Sequence, residues 1–297
     1  MVILVFINKE GKFNENTWLI DGYLFGGKGN LSIYVLENEG TRMMIDASEK
    51  TSIPKIIERL KELNIYPIHK IFLTHSHFDH IDGVHELRKL IKGIDIEVLA
   101  SKNAIENLKN PNNINEVFEA KTDPIEGVIP LTDNQTIDLN GLELKVLDFF
   151  GHTMDSIALF DKKNKNIFTG DAIIDKSSIY YFQPTFMPPD FHEAELLKTF
   201  QRLRDMKDEL NSISLAHYGV WKDEDFDQII NSMEELHFST KNSIIKWYKE
   251  KPSYNYLALK YHEKFIPKSK IIKLGYIEVL EQTMEWLVEG LKRCGFI

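Results

Sequence analysis

The sequence predicts an α/β protein in which two β-sheets carry helices on their outer sides, followed by an all-helical C-terminal segment. Three observations predict it. Short apolar or alternating runs separated by turn residues dominate the chain up to about residue 50. Helical and strand patterns then alternate, and after about residue 222 the strand signals stop. The chain therefore divides into a main domain, 1–222, and a helical extension, 223–297, packed on it.

The first strands are expected at Val2–Ile7, Thr17–Ile20, Leu31–Leu36 and Arg42–Ile45. Asn38-Glu39-Gly40 sets up a hairpin between the last two. The run Gly26-Gly27-Lys28-Gly29-Asn30 reads as a turn, because it lacks the strand–GxGxxG–helix context of a nucleotide site. Ile53, Ile56, Ile57, Leu60 and Leu63 form an apolar face at helical spacing. A strand, His69–Leu73, runs directly into a histidine-rich segment, and Val84, Leu87, Leu90 and Ile91 give the helix after it. Ile96–Leu99, Leu142–Phe149, Ser156–Phe160, Asn166–Thr169 and Ser212–Ala216 read as further strands, with a helix over Glu193–Met206. The extension reads as three helices, Asp223–Glu250, Tyr254–Phe265 and Ile271–Arg293. Its aromatic residues, Trp247, Tyr248, Tyr254, Tyr256, Tyr261 and Trp286, are expected to pack it onto the main domain, or in part to line a substrate entrance or a homodimer interface.

At 297 residues with 43% hydrophobic and 27% charged residues, the chain can bury a large core and has an ordinary globular composition. Its longest apolar run, Val2–Ile7, is too short for a membrane span or a signal peptide, which leads to an expectation of no membrane and a cytoplasmic location. The formal charge of −9 argues against a nucleic-acid partner, since such binding needs Lys and Arg to neutralise phosphates. A single cysteine, Cys294, allows neither an internal disulfide nor a cysteine metal cluster. Any metal must therefore sit on histidine and carboxylate. No Gly-x-Ser-x-Gly elbow offers a seryl alternative.

The chemistry lies in Thr74-His75-Ser76-His77-Phe78-Asp79-His80, a strand-to-helix loop of the kind where open sheets place their sites. In an extended loop His75 and His77 point the same way, while Asp79 and His80 sit where the chain turns into a helix. That spacing suits two metals sharing one loop. Neither pair completes a hydrolytic site, which usually takes three or more protein ligands. His152, Asp171 and His217 each follow a predicted strand, with a glycine adjacent or one residue removed. The other histidines, His69, His85, His192, His237 and His262, have no partner at ligand spacing and are expected at the surface or in hydrogen bonds; His85 alone lies close enough in sequence to stand behind the cluster.

The His-x-His-x-Asp-His run at 75–80, with Gly151-His152-Thr153, Gly170-Asp171 and Ala216-His217-Tyr218-Gly219, resembles the metallo-β-lactamase superfamily over roughly residues 1–220. The resemblance implies a four-layer αββα sandwich of two mixed sheets. It also implies one metal on His75, His77 and His152, a second on Asp79, His80 and His217, and Asp171 bridging them. An aspartate there resembles the glyoxalase II, lactonase and ribonuclease Z branches, whereas true zinc β-lactamases commonly carry Cys. His77 stands where the similar flavodiiron proteins have Glu. Asp46 resembles the family's Ile-Asp-x-Gly aspartate, with a role of orienting a ligand imidazole or simply capping a loop. Two departures stand out: Ser48 replaces the usual Gly, and Met154-Asp155 replace the Pro-Gly that frequently follow His-Thr.

The implied activity is metal-dependent hydrolysis of an ester-like bond in a small molecule. Two divalent ions, zinc first and iron or manganese next, would share a bridging hydroxide about 3.5–4 Å from ion to ion, and Asp79 would pass a proton to the leaving group. A thioester or related acyl compound is favoured. Lactonases of the family carry a tyrosine three residues past the bridging Asp, where this chain has Ile174, though Tyr180 and Tyr181 follow closely. A phosphodiester is disfavoured by charge, and a metal-stabilised binding protein without catalysis is the alternative of another class. Phe182, Phe186 and Met187, in a proline-stiffened stretch ending at Pro189, are expected either to roof the cleft and contact an acyl chain or to pack in the core; Tyr218 is a further pocket candidate.

Overall fold

The structure, a computed structural model, describes residues 6–174, 182–222 and 226–297. Among the described residues fourteen strands form two seven-stranded sheets. The short β1 (Phe6–Ile7) sits at an edge of the second sheet, where it pairs with a late strand. The first sheet then runs in spatial order through β2 (Gly11–Lys12), β3 (Thr17–Asp21), β4 (Ser32–Asn38), β5 (Thr41–Ile45), β6 (Lys70–Leu73), β7 (Glu97–Ser101) and β8 (Val128–Leu131). Its first part is an antiparallel meander and its second part is parallel, from β5 through β8. The β4–β5 hairpin closes on the Asn38–Thr41 pair, with Glu39 and Gly40 both at positive φ (47° and 81°), as its two-residue turn requires.

Parallel neighbours need crossovers, and helices supply them. Between β5 and β6 lies α1 (Ile53–Glu62), which buries Ile53, Ile56, Ile57 and Leu60 on one face and begins with Pro54 in its first turn. Between β6 and β7 come α2 (Phe78–Ile81) and α3 (Val84–Leu90), and between β7 and β8 the short α4 (Ile105–Lys109) and α5 (Pro111–Asn115).

The second sheet contains β9 (Thr136–Leu139), β10 (Leu142–Asp148), β11 (Ile157–Asp161), β12 (Asn166–Phe168), β13 (Ser212–Leu215) and β14 (Gly219–Lys222), with β1 beside β14. It is antiparallel except for β12 and β13, whose parallel pairing spans α6 (Glu193–Asp205). The chain ends in α7 (Phe226–Glu250), α8 (Tyr254–Phe265) and α9 (Ile277–Arg293).

Three apolar clusters fill the gaps between layers. Leu36, Phe72, Leu144 and Phe168 pack where the two sheets face each other. Ile33, Ile56, Leu60 and Val84 join the first sheet to α1 and α3. Phe149, Ile213, Phe200, Ile244, Tyr261 and Leu287 join the second sheet to α6–α9. The result is the four-layer αββα sandwich, with the C-terminal helices in its outer layer.

The predicted strands and helices recur within a residue or two where they are described, apart from the last helix. It begins at Ile277 rather than Ile271, because 271–275 form turns that end at Gly275 in the left-handed region, φ 84°. Four strands have no sequence counterpart. β8 contains Pro130, tolerated because β8 is an edge strand, and β2, β9 and β14 are two to four residues long. Residues 1–5 of the predicted Val2–Ile7 strand lie outside the described residues.

Candidate metal centre

Four loops meet at one rim of the sandwich, each just past the end of a strand. The 74–80 loop leaves β6, the His152 loop leaves β10, Asp171 follows β12 and His217 follows β13. Glycines permit the approach. Gly151 has φ 128°, and a Cβ on it would lie 2.3 Å from the Leu196 backbone nitrogen, so only glycine lets α6 pass this close to the His152 loop. Gly170, φ 54°, likewise leaves room for Thr74, whose Cβ would be 2.8 Å away.

His75, His77, His80, His152, Asp79, Asp171 and His217 are all buried, and their donor atoms fall into three overlapping groups, each within 4.8 Å. The groups are His75–His77–His152, His75–His80–Asp171 and Asp79–His80–His217. His152 Nε2 lies 2.9 Å from His77 Nδ1. Asp171 reaches both sides: Oδ1 is 3.4 Å from His80 Nε2, and Oδ2 is 3.2 Å from His217 Nε2 and 3.6 Å from His152 Nε2. Asp79 Oδ2 is 3.6 Å from His217 Nε2 and 3.7 Å from His80 Nε2. Ligands about 2.0–2.2 Å from a tetrahedral ion lie ~3.4 Å from one another, which is the spacing seen here.

The outer nitrogens explain how the rings are held. His80 Nδ1 bonds the Asp46 carboxylate at 2.8 Å, His152 Nδ1 the Thr185 carbonyl at 2.7 Å, and His217 Nδ1 the Asn30 carbonyl at 2.7 Å. His75 Nδ1 faces Thr74 Oγ1 at 3.1 Å. A ring that donates from Nδ1 turns its Nε2 lone pair inward. Correspondingly, Nε2 of His75, His80 and His217 and Oδ1 of Asp171 are buried without a hydrogen-bond partner. Buried acceptors facing one another without donors are costly, and a cation between them removes that cost. The residues fit divalent metal.

Electrostatics divide the rings into two sets. Burial and the neighbouring imidazoles hold His75 and His77 well below the usual histidine value. Burial lowers His152 as well. Burial also opposes charge on His80 and His217, but Asp171 and other carboxylates outweigh it and raise both. Burial would raise Asp171, yet His217 and His80 hold its carboxyl well below the usual range.

Behind the ligand loops stands a second set of buried bonds. Asp46 accepts from Thr74 N at 2.8 Å and from Thr74 Oγ1, as well as facing His80. It therefore both caps the loop and orients a ring. Ser48, in the place expected for glycine, adopts φ 54° and donates its hydroxyl to Gly22 O at 2.7 Å. Asp155, fully buried, accepts from Ser76 Oγ, from Asn107 Nδ2 at 2.9 Å and from Thr153 Oγ1 at 2.6 Å, tying the His152 loop to the His75–His77 loop. Asn115 accepts from Phe78 N at 2.8 Å and donates to Ser76 O at 3.1 Å. Sequence reasoning passed over Asp155 and Asn115. The substitution of Asp155 for the usual Gly was the available signal for the first, and Asn115 offered none.

The centre opens into a cleft of about 430 Å³. His77, Asp79, His152 and Asp171 form its floor. Leu24, Phe25, Phe78, Phe118 and Met187 form its walls, and Glu278, Val279, Gln282, Thr283 and Trp286 of α9 complete them. Several pocket expectations are corrected. Phe182 stacks on Tyr261 at 6.2 Å between centroids and Phe186 is wholly buried, so both belong to the core under the C-terminal helices. Tyr218 is buried between the sheets and does not line the cleft. Tyr180 and Tyr181 lie outside the described residues. Ile174 is buried in the core. His85 is exposed and bonds the Pro124 carbonyl at 2.6 Å, away from the cluster. Of the rings in the C-terminal segment, Trp286 alone is among the described cleft residues, and the hydroxyl of the buried Tyr261 donates to Phe182 O.

Fold and cluster together define an αββα protein with a histidine–aspartate centre of metal-binding type. The model of the metallo-β-lactamase superfamily matches residues 26–217, and the chain belongs to that superfamily. It is similar to a hydroxyacylglutathione hydrolase of Bartonella quintana (strain Toulouse), 25% identical over 173 residues, covering 58% of this chain and 56% of that one. It is also similar to the human acyl-coenzyme A thioesterase MBLAC2, 26% identical over 145 residues, 46% of this chain and 50% of that one. The chain thus spans about half the length of these curated relatives. A solved metallo-β-lactamase family protein from Thermus thermophilus shares the fold with a TM-score of 0.63 at 15% identity, over 94% of both chains. Among the described residues no helix is long and apolar enough to cross a membrane.

Proposed function

We propose that this chain hydrolyses a thioester or related acyl compound at a dinuclear centre, with His75, His77 and His152 holding one ion, Asp79, His80 and His217 the other, and Asp171 between them. The observation that carries this reading is the convergence of seven buried side chains, with inward lone pairs unpartnered, on the floor of an apolar cleft. Divalent ions there, zinc first, would polarise an acyl carbonyl and ready a water for attack.

The chain's own residues supply the rest. Asp46, Thr185 and Asn30 fix the ring orientations. Asp79, on the cleft side, holds a carboxylate where a proton can pass to the departing thiolate. Two curated relatives, one named a hydroxyacylglutathione hydrolase and the other an acyl-coenzyme A thioesterase, support the acyl reading. The buried Ile174 does not offer the tyrosine of lactonases, and among the described residues no Lys or Arg lines the cleft to meet a phosphodiester. We read residues 223–297 as an extension that completes the cleft, and the location as cytoplasmic.

A hydrolysis panel on zinc-loaded protein, pairing a glutathione thioester and acetyl and acyl thioesters with simple lactones and a chromogenic phosphodiester, tests the reading. Turnover of thioesters abolished by chelator is expected. Metal-loaded protein that hydrolyses none of them is instead a binding protein.

A further inference from the structure

The walls of the cleft contain a feature that the metal centre does not need. Phe25, Phe78, Phe118 and Trp286 form a continuous run of rings, with centroids 6.2 Å apart from Phe25 to Phe78, 5.7 Å from Phe78 to Phe118 and 5.1 Å from Phe118 to Trp286. The run starts at the floor, where Phe118 lies 5.1 Å from the His77 ring. It ends at the surface, where Phe25 is 66% exposed and Val279, across the mouth on α9, is 52% exposed. Large apolar side chains left this open to water around a cleft mark a binding surface for an apolar group.

We propose that this aromatic wall is the binding site for an extended apolar acyl group, so that the substrate is an acyl thioester or ester selected by its acyl chain. The proposal rests on the acyl-hydrolase reading above and adds the part of the substrate that confers specificity. A carbonyl placed on the floor beside Asp79 and Asp171 leaves the acyl chain to run past Phe118 toward Phe25, in a space of about 430 Å³.

Charge points the same way. The described charged residues of the cleft, apart from the histidines, are Asp79, Asp171 and Glu278, all acidic. A second hollow of about 560 Å³ lies on the other side of the same four rings. Its Lys50 and Lys121 are outnumbered by Glu49, Asp82 and Glu119. Neither space is built to draw in a polyanionic thiol, so discrimination falls on the apolar end. Specificity is thereby assigned to α9 and to the Phe25 and Phe118 segments rather than to the Phe182–Pro189 stretch, which brings Gln183 and Met187 to the lining.

The test is a chain-length series on the zinc-loaded full chain, with acetyl, hexanoyl and decanoyl groups on one uncharged thiol and on one uncharged alcohol. A buried methylene corresponds to about a fourfold gain, so kcat/KM should rise by up to about that factor per methylene until the wall is filled. Trp286→Ala should reduce the decanoyl-to-acetyl ratio at least tenfold. Phe25→Ala, at an exposed position where truncation cannot unfold the chain, should reduce it about threefold, while Leu259→Ser, on α8 away from the cleft, leaves it unchanged. Decanamide, which cannot be turned over as an ester, should change the tryptophan fluorescence of the wild type and not that of Trp286→Ala. Chelator-sensitive turnover with no chain-length dependence overturns this inference and leaves the acyl-hydrolase reading standing. With no turnover of any substrate that reading falls, and the decanamide titration decides alone: Trp286-dependent binding upholds the wall, and no binding overturns it.

Discussion

The floor and the roof of the cleft are built on opposite principles. The floor is made of loops clamped by short-range polar bonds. Its seven facing side chains are buried, and the rings are held from behind by carboxylate, hydroxyl or carbonyl oxygens. The roof is made of aromatic and aliphatic side chains from five segments of the chain, and some of it stands open to water. A floor of this kind fixes ion positions and tolerates little change. A roof of this kind fixes the shape of the substrate and can vary without disturbing the reaction.

The sharpest way to break this comparison is at the floor. His77→Ala removes a ring that lies 2.9 Å from His152 Nε2. It should cost at least ~10³-fold in activity, the several kcal/mol of charge stabilisation that an ion supplies, together with most bound metal. Metal analysis and initial rates measured side by side check it; a fully loaded, fully active variant would remove His77 from the centre.

A smaller effect is expected one layer back. Asp155→Ala strands the Ser76, Asn107 and Thr153 donors and unties two ligand loops. Stability should fall by about 2–4 kcal/mol in a denaturant titration, and metal affinity by about 10–100-fold in a chelator competition. A loss of stability with unchanged metal affinity would make Asp155 a prop for the loop alone.

How much of this could be read from the sequence follows the same division. The ligand run at 75–80 is local, so chain periodicity and the strand before it were enough to place it, and strands preceding His152, Asp171 and His217 were legible as apolar runs. Asp46 was legible because it ends a strand in a recognisable motif. The carbonyls of Asn30 and Thr185 were not, since a backbone oxygen has no residue type to signal it. The aromatic wall was illegible for a different reason. Phe25, Phe118 and Trp286 are separated by more than ninety residues at each step and meet only through the layering of the sandwich. Phe182 and Phe186 looked like wall residues because they follow Asp171 closely, but proximity in sequence to a ligand said nothing of which side the rings would face. The core took them, as it takes large rings that α7 and α8 can cover.

The smallest expected effect concerns how the roof is attached. Glu193 on α6 bonds both Lys241 and His237 of α7, and Lys241 is almost wholly buried. Burial pushes the Glu193 carboxyl up, but its hydrogen bonds to Lys241 and His237 outweigh this and hold it below the usual glutamate value. A depressed carboxylate stabilises the fold above the unfolded value, about 4.3, and that contribution disappears as pH falls through the lower folded value. Glu193→Gln should therefore cost about 2 kcal/mol at pH 7, with the deficit closing in acid. Stability curves of both proteins from pH 3 to 8 check this. A deficit independent of pH would mean that shape rather than charge holds α6 against α7.

The central claim is that seven side chains of this rim are a two-ion centre with Asp171 shared between the ions. Metal content per chain after zinc loading and gel filtration tests it most directly, on wild type and on Asp171→Ala. Two ions per wild-type chain, and at most one in the folded variant, is the result predicted. Folded wild type without bound metal, or a variant that keeps both ions at full affinity, would contradict it.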